Sequence, residues 1–298
     1  MEKFMKDTAE VMAAKNANTD SLKNLILCDT RLMNELHALG FADSAVDGYL
    51  SILATYLDQR DAEEDPIHSK EAPYPGMKMT LTVDDSGYLS FVLGPNEQNK
   101  NKQLLEANFL YRDYPEEWMT LTPQVLKGVR FKEIREAIKM MGKAAKNWIY
   151  IQGEPASGKS YFLAALLNNF AVKGKTVCFM NTNQRFEELK ALAIKKPQEF
   201  NAIMAQLKTC DHLVLDDFGN EYRSDYVRDT ILMPLLNDRS RLGLKTYITS
   251  QYSIDEIEEL YGRGSRIDGR RVTSIIKRNI KDVVYLTKGI ESTLSSKR

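Results

Sequence analysis

One eight-residue loop near the middle of the chain constrains its fold more than any other feature. The loop matches the pattern G-x-x-x-x-G-K-[ST], and its residues are Gly153, Glu154, Pro155, Ala156, Ser157, Gly158, Lys159 and Ser160. The glycines let the backbone approach phosphate groups, and the N–H groups of such a loop form an anion-binding concavity at the start of a helix. We therefore predict a nucleotide site that extends to Tyr161, with Lys159 on the β- and γ-phosphates of ATP and Ser160 as a ligand of Mg²⁺.

Two adjacent carboxylates, Asp216 and Asp217, follow the apolar run Leu213–Leu215. At the end of a parallel strand beside the loop, Asp216 is predicted to hold Mg²⁺, because this ion prefers oxygen ligands and keeps waters. Asp217 is predicted to orient or deprotonate the attacking water. The alternative is that these aspartates only cap a helix or a turn, a position that Asp also favours.

In the folded sheet, a strand that ends in polar residues is expected to lie between the phosphate loop and the pair of aspartates. The apolar run that ends in Thr249, Ser250 and Gln251 fits this description and makes Gln251 a catalytic candidate. A plain turn explains the three polar residues equally well, so both interpretations stay open.

Composition narrows the class of protein. Hydrophobic residues make up 43% and charged residues 28% of the 298, which is typical of a globular chain. The three cysteines are far apart and odd in number, which favours a reducing compartment over a disulfide framework. No apolar run approaches the roughly 20 residues that span a bilayer, and no signal peptide is recognisable. We therefore expect a cytoplasmic protein without a membrane partner.

The chain is predicted to contain two domains. Residues 1–100 combine helices with a β-hairpin at Met77–Leu93, and polar linkers are predicted at Asp61–Pro75 and Gly94–Lys102. Residues 104–298 alternate strand and helix, which is typical of a parallel sheet flanked by helices. The predicted fold is therefore α/β, a P-loop ATPase domain preceded by a small α+β domain.

The elements of the second domain follow from its hydrophobic pattern. The predicted strands are Trp148–Ile151, Thr176–Met180, Leu213–Leu215, Thr246–Thr249 and Val283–Leu286, and the predicted helices are Lys159–Ala171, Thr182–Lys208 with a break at Pro197, Ser224–Leu242, Ser253–Tyr261 and Arg270–Ile280.

Charge is unevenly distributed along the chain. Residues 1–103 hold 17 acidic and 10 basic residues, whereas residues 104–298 hold 24 and 31. Basic residues are concentrated at 263–281, where they could supply an arginine to a neighbouring subunit's nucleotide or follow a nucleic-acid backbone. A solvated helix face is the simpler explanation for any single one of them.

With these motifs, the chain resembles the AAA+ helicase loaders of the DnaI and DnaC type. The matching segments are GEPASGKSY at 153–161, LVLDDFGNE at 213–221, SDYVRD at 224–229, YITSQYS at 247–253 and GRRVTSIIKR at 269–278. The resemblance implies an ATPase that works as a homo- or hetero-oligomer. It also implies that the N-terminal domain binds a hexameric replicative helicase of the DnaB type, which is delivered to single-stranded DNA.

The resemblance also implies roles for particular residues. Asp216 and Asp217 would be the metal and water residues, and Gln251 stands where the family has a sensor asparagine. Arg271 and Arg278 are the candidates for the arginine finger, although the family's arginine spacing is not met cleanly.

Two further features follow from the resemblance. The segment Gln184–Lys208 would be an insertion near single-stranded DNA, and its basic residues are Arg185, Lys190, Lys195 and Lys196. DnaI-like proteins carry a zinc site in the N-terminal domain, but the stretch His68–Pro95 contains no cysteine. No bound zinc is therefore expected.

Three other functions are compatible with the motifs. A transposition-helper ATPase of the IstB type shares the core but lacks a long N-terminal domain with a hairpin, so residues 1–100 favour the loader. A small-molecule P-loop kinase would need a lid and an acceptor pocket. An adaptor that binds nucleotide without hydrolysing it would not depend on Asp217.

Overall fold

The computed structural model describes residues 18–64, 72–121, 124, 127, 131–141 and 147–286. The chain divides into two compact units, Met1–Lys102 and Gln103–Arg298. Within the described ranges, no helix has the length and apolar character needed to span a bilayer.

The first unit packs helices against a β-hairpin. Residues 18–28 are helical and are followed by α1 (Thr30–Ala38) and α2 (Val46–Glu64). Strands β1 (Met77–Val83) and β2 (Leu89–Pro95) pair antiparallel, which confirms the predicted hairpin. The apolar core that joins helices and hairpin includes Ile26, Leu32, Leu36, Leu53, Leu57, Met79, Leu81 and Leu89.

The two predicted linkers are wrong in part. Helix α2 continues to Glu64, and residues 65–71 lie outside the described residues. Gly94 and Pro95 belong to β2, and α3 (Glu97–Asn108) begins almost at once. The side chain of Asn96 accepts the backbone N–H of Asn99 (2.9 Å), which satisfies an otherwise unpaired donor of the first turn. A polar run was therefore mistaken for a linker, although it starts a helix.

The second unit is built on a six-stranded sheet. Its strands are β3 (Phe109–Arg112), β4 (Trp148–Gly153), β5 (Val177–Asn181), β6 (His212–Asp216), β7 (Lys245–Ser250) and β8 (Ile280–Leu286). The spatial order is β3-β5-β6-β7-β4-β8, and every neighbouring pair is parallel. This confirms the predicted parallel sheet, although β3 was not predicted. Because the strands are parallel, their carboxyl ends share one edge, where ligands of open α/β sheets bind.

Seven helices of the second unit have described bounds. They are α4 (Lys132–Met140), α5 (Lys159–Val172), α6 (Thr182–Lys195), α7 (Pro197–Thr209), α8 (Met233–Leu242), α9 (Ile254–Tyr261) and α10 (Arg266–Asn279). Pro197 is the first residue of α7, so the predicted break is confirmed. A helical turn at Asp225–Val227 and a π turn at Arg228–Leu232 lead into α8.

Both faces of the sheet are covered by helices. Trp148 and Tyr150 of β4 join one core with residues of α6 to α10, whereas Ile149 and Ile151 join a second core with residues of α3, α4 and α5. Successive side chains of a strand point to opposite faces, so a strand buried on both sides reads as a continuous apolar run. This is why the central strands were recognisable in the sequence.

A fully buried arginine holds the amino ends of two central strands. Arg239 of α8 has no exposed surface. Its guanidinium donates to the backbone oxygens of Leu207 (2.8 Å), Cys210 (2.9 Å) and Lys245 (2.7 Å), and Nε donates to Thr246 Oγ1 (3.0 Å). One side chain therefore satisfies acceptors at the end of α7 and at the starts of β6 and β7.

We predict that Arg239→Ala lowers the free energy of unfolding by about 3 kcal/mol, because two buried carbonyl oxygens and one partly buried one lose their donors. Chemical denaturation of the full chain measures the change. Arg241→Ala is the matched control, since the Arg241 side chain is 73% exposed and pairs with Asp238 on the surface. Equal stabilities for the two variants would contradict the structural role of Arg239.

Candidate nucleotide site

The phosphate loop joins β4 to α5 at the carboxyl edge of the sheet. Ala156 and Gly158 have left-handed backbone conformations (φ 60° and 93°). Left-handed residues in such a loop let successive N–H groups turn toward one side and form an anion-binding concavity. Gly153 has no room for a side chain, because a Cβ would lie 2.2 Å from the backbone oxygen of Leu286. Both glycines of the pattern are therefore required: Gly158 for its left-handed backbone, and Gly153 because a side chain would clash with Leu286.

The Lys159 ammonium lies under this loop. Its Nζ donates to the backbone oxygens of Gly153 and Glu154, at 2.8 Å each, and the residue is 9% exposed. Burial lowers the pKa of Lys159, although the nearby Asp216 and Asp217 act in the opposite direction. Ser157 Oγ is a third, longer partner at 3.4 Å. A buried ammonium whose partners are all uncharged oxygens is suited to an anionic ligand that replaces them.

Two hydroxyl groups that the sequence placed near the site donate to the carboxylate of Asp216. Ser160 Oγ and Thr249 Oγ1 both donate to Asp216 Oδ1, each at 2.7 Å. Asp216 is 7% exposed, and burial raises its pKa while the two hydroxyl groups oppose that shift. Strand β7 lies between β4 and β6, as the sequence predicted for the strand that ends in Thr249.

Asp217 begins a tight turn after β6. Its backbone is left-handed (φ 58°), and its N–H donates to Thr249 Oγ1 at 3.0 Å. Asn220 Nδ2 donates to Asp217 Oδ1 (2.6 Å), and Gln251 Nε2 donates to Asn220 Oδ1 (2.6 Å). The structure therefore links Asp217 and Gln251, two of the four catalytic candidates, through Asn220, a residue that sequence reasoning missed.

A buried glutamate was also missed. Glu221 is 1% exposed and accepts the backbone N–H of Gly219 (2.7 Å) and the hydroxyl groups of Thr182 (3.0 Å) and Tyr261. Thr182 Oγ1 also lies 3.1 Å from the backbone oxygen of Asp216. The start of α6 is thereby tied to the end of β6. The acidic residue four positions after Asp217 was visible in the sequence, but its burial was not.

The arginines named from the sequence lie in other environments. Arg271, on α10, pairs with Asp229 (3.8 Å) and Asp268 (3.5 Å), and Arg278 donates to Ser240 Oγ (3.1 Å). An arginine finger acts on a neighbouring subunit, so these contacts within one chain do not test that role. Arg185 binds Asp113 through two of its nitrogens and covers the ring of Tyr111 at 4.2 Å. Arg185 therefore fastens α6 to residues 111 and 113 through an ion pair and a ring contact, rather than presenting its charge to a ligand on the surface.

The residues at the loop fit Mg²⁺. A serine hydroxyl and an aspartate carboxylate lie in contact at the start of α5, and these are the oxygen ligands that P-loop proteins use beside phosphates and waters. In the described part of the chain, no group of three or more His, Cys, Asp or Glu side chains could hold a metal without such partners.

Comparison with known proteins agrees with this geometry. A 157-residue segment, 52% of the chain, is 26% identical to the replicative helicase loader DnaI of Bacillus subtilis (strain 168) and covers 49% of that protein. A 110-residue segment, 37% of the chain, is 24% identical to the replicative helicase loader DnaC of Escherichia coli (strain K12) and covers 44% of it. The chain thus spans about half the length of these curated relatives. No family model matches it.

A crystal structure of DnaI superposes with a TM-score of 0.50 and 25% sequence identity, covering 61% of this chain and all of that one. The second unit therefore has the fold of an AAA+ protein, which confirms the predicted fold class. The chain is similar to helicase loaders of the DnaI and DnaC type, as its motifs indicated.

We predict that Asp216→Asn raises the free energy of unfolding near neutral pH by about 1 kcal/mol, because it removes a buried charge. The Asp216 pKa is raised on folding, so the ionised carboxylate is unfavourable above that pKa. The advantage of the variant should therefore shrink as the pH falls through the raised pKa. Denaturant unfolding in neutral and acidic buffers measures it, and a less stable variant at neutral pH would contradict this account.

Proposed function

We propose that the chain is an ATP-dependent helicase loader of DNA replication that acts in the cytoplasm. The observation that carries the ATPase part is the contact of Ser160 with Asp216 beside the phosphate loop, with Lys159 buried under the same loop. The similarity to DnaI and DnaC supports the loader part and favours it over a transposition helper or a small-molecule kinase.

The proposed reaction is the hydrolysis of ATP. The loop from Gly153 to Tyr161 binds the nucleotide, with the Lys159 ammonium leaving the loop carbonyls for the β- and γ-phosphates. Ser160 and Asp216 would hold Mg²⁺, which neutralises phosphate charge when it is bound. Asp217 orients the attacking water and accepts its proton while the bond to the leaving ADP oxygen breaks.

Two further groups complete this proposal. Gln251 contacts the transferring phosphate, a role supported by its place in the wall of a cavity of about 450 Å³ that Gly153, Glu154 and Pro155 also line. Arg271 or Arg278 stabilises the same phosphate in a neighbouring subunit, which requires a homo- or hetero-oligomer.

The partners follow from the same proposal. The first unit binds a hexameric replicative helicase of the DnaB type, and the second unit contacts single-stranded DNA. Exposed Tyr222, which has the Lys190 ammonium 5.3 Å from its ring centre, has the aromatic and cationic character that stacks on bases.

We predict that Lys159→Ala reduces nucleotide affinity at least about a hundredfold while helicase binding persists, because the variant removes the phosphate cation and leaves the first unit unchanged. Titration with a fluorescent ATP analogue measures the first effect. Co-purification of the full chain with its host's replicative helicase measures the second.

Lys173→Ala is the matched control, since Lys173 is an exposed lysine at the other end of α5. It should retain wild-type affinity. A full chain that binds nucleotide but recovers no replicative helicase would contradict the loader function and leave the ATPase intact.

A further inference from the structure

The turn that follows Asp217 is hydrogen-bonded to the end of β7. The backbone N–H of Phe218 donates to Thr249 O (2.8 Å), and Ser250 Oγ donates to Phe218 O (2.6 Å). The Asn220 N–H closes the turn on Asp217 O at 3.2 Å. Phe218 itself is fully buried. The backbone of Asn220 is therefore held beside Asp217 by the hydrogen bonds of this turn.

The chemistry of the neighbours determines which way the Asn220 amide points. An amide nitrogen donates and a carboxyl oxygen accepts, and the Asn220 nitrogen faces Asp217 Oδ1 at 2.6 Å. The amide oxygen then faces Gln251, whose Nε2 donates to it at 2.6 Å. The two bonds form a chain with a single direction, from the Gln251 amide through Asn220 to the Asp217 carboxylate.

Gln251 also lies beside the phosphate loop. It lines a cavity of about 450 Å³ together with Gly153, Glu154 and Pro155, the first residues of the loop. Gln251 therefore borders the proposed nucleotide site on one side and is hydrogen-bonded to Asn220 on the other. The Asn220 amide joins it to Asp217 through two hydrogen bonds.

We infer that Asn220 is a positioning residue that transmits the contact of Gln251 with the terminal phosphate to Asp217. While the relay is intact, the Nδ2–H of Asn220 fixes one carboxylate oxygen of Asp217 and leaves the other for the attacking water. This inference rests on the proposed ATPase function. It assigns no contact with nucleotide to Asn220, so its removal should affect the rate of hydrolysis and not the binding of ATP.

The test compares steady-state ATP hydrolysis by full-length Asn220→Ala, Asn220→Asp, Gln251→Ala and the Asn220→Ala/Gln251→Ala double variant. We expect Asn220→Ala to lower kcat about tenfold or more with KM within about twofold of wild type. Asn220→Asp should lose as much, because it keeps the shape and the acceptor for Gln251 but cannot donate to Asp217. The fold-reduction in kcat of the double variant should be smaller than the product of the two single reductions. Both substitutions break the same series of hydrogen bonds from Gln251 to Asp217.

Asn183→Ala is the matched control, because Asn183 is an exposed asparagine on α6 in the wall of the neighbouring cavity that Asn220 also lines. It should hydrolyse ATP at the wild-type rate. A fluorescent ADP analogue reports nucleotide binding separately, and its affinity should be the same for all variants. A general loss of structure would lower that affinity together with kcat, and would overturn the relay.

Full turnover by Asn220→Asp, or losses that multiply in the double variant, would overturn the relay while the ATPase function stands. A wild-type chain that binds nucleotide but never hydrolyses ATP would overturn both. The two failures are therefore distinguishable in one set of measurements.

Discussion

Two hydroxyl groups, one from a helix start and one from a strand end, donate to one carboxylate oxygen at the centre of the candidate site. Ser160, at the start of α5, and Thr249, in β7, both donate to Asp216 Oδ1 at 2.7 Å. Because β7 lies between β4 and β6, these bonds tie together the carboxyl ends of three adjacent strands. The start of α5, the end of β6 and strand β7 are thereby held side by side before nucleotide binds. Every proposed step of catalysis uses groups that this junction brings together.

Two ionisable side chains at and beside this junction, Lys159 and Asp216, are buried in the folded chain. Burial lowers the pKa of Lys159 and raises the pKa of Asp216, so both charged forms are disfavoured in the folded chain. Perturbed groups of this kind are concentrated at functional sites, because a ligand supplies the missing partners. The glycine-rich loop, the helix start and the two hydroxyl groups are already in position. Nucleotide binding therefore requires exchange of contacts around Lys159 and Ser160 rather than assembly of a new site.

The sequence predicted those parts of the site in which a chemical role requires particular residue types at a fixed spacing. The phosphate loop and the pair Asp216–Asp217 follow that rule, and the central strands are long apolar runs. Strand β3 was missed because its four residues are only half-buried, and α3 because its polar first half resembles a linker. Asn220 could not be assigned at all, since its contact with Gln251 joins residues 31 positions apart and leaves no local pattern. Tertiary contacts, not periodicity, determine such roles.

A crystal structure of the full chain with Mg²⁺ and a non-hydrolysable ATP analogue would show how the occupied loop is arranged. We expect β- and γ-phosphates against the backbone of residues 153–160, with Lys159 Nζ moved from the Gly153 and Glu154 oxygens to the phosphates. We also expect Ser160 Oγ to leave Asp216 and bind the metal. Phosphates bound elsewhere, or Lys159 still bonded to both carbonyl oxygens beside an occupied loop, would contradict the proposed nucleotide site.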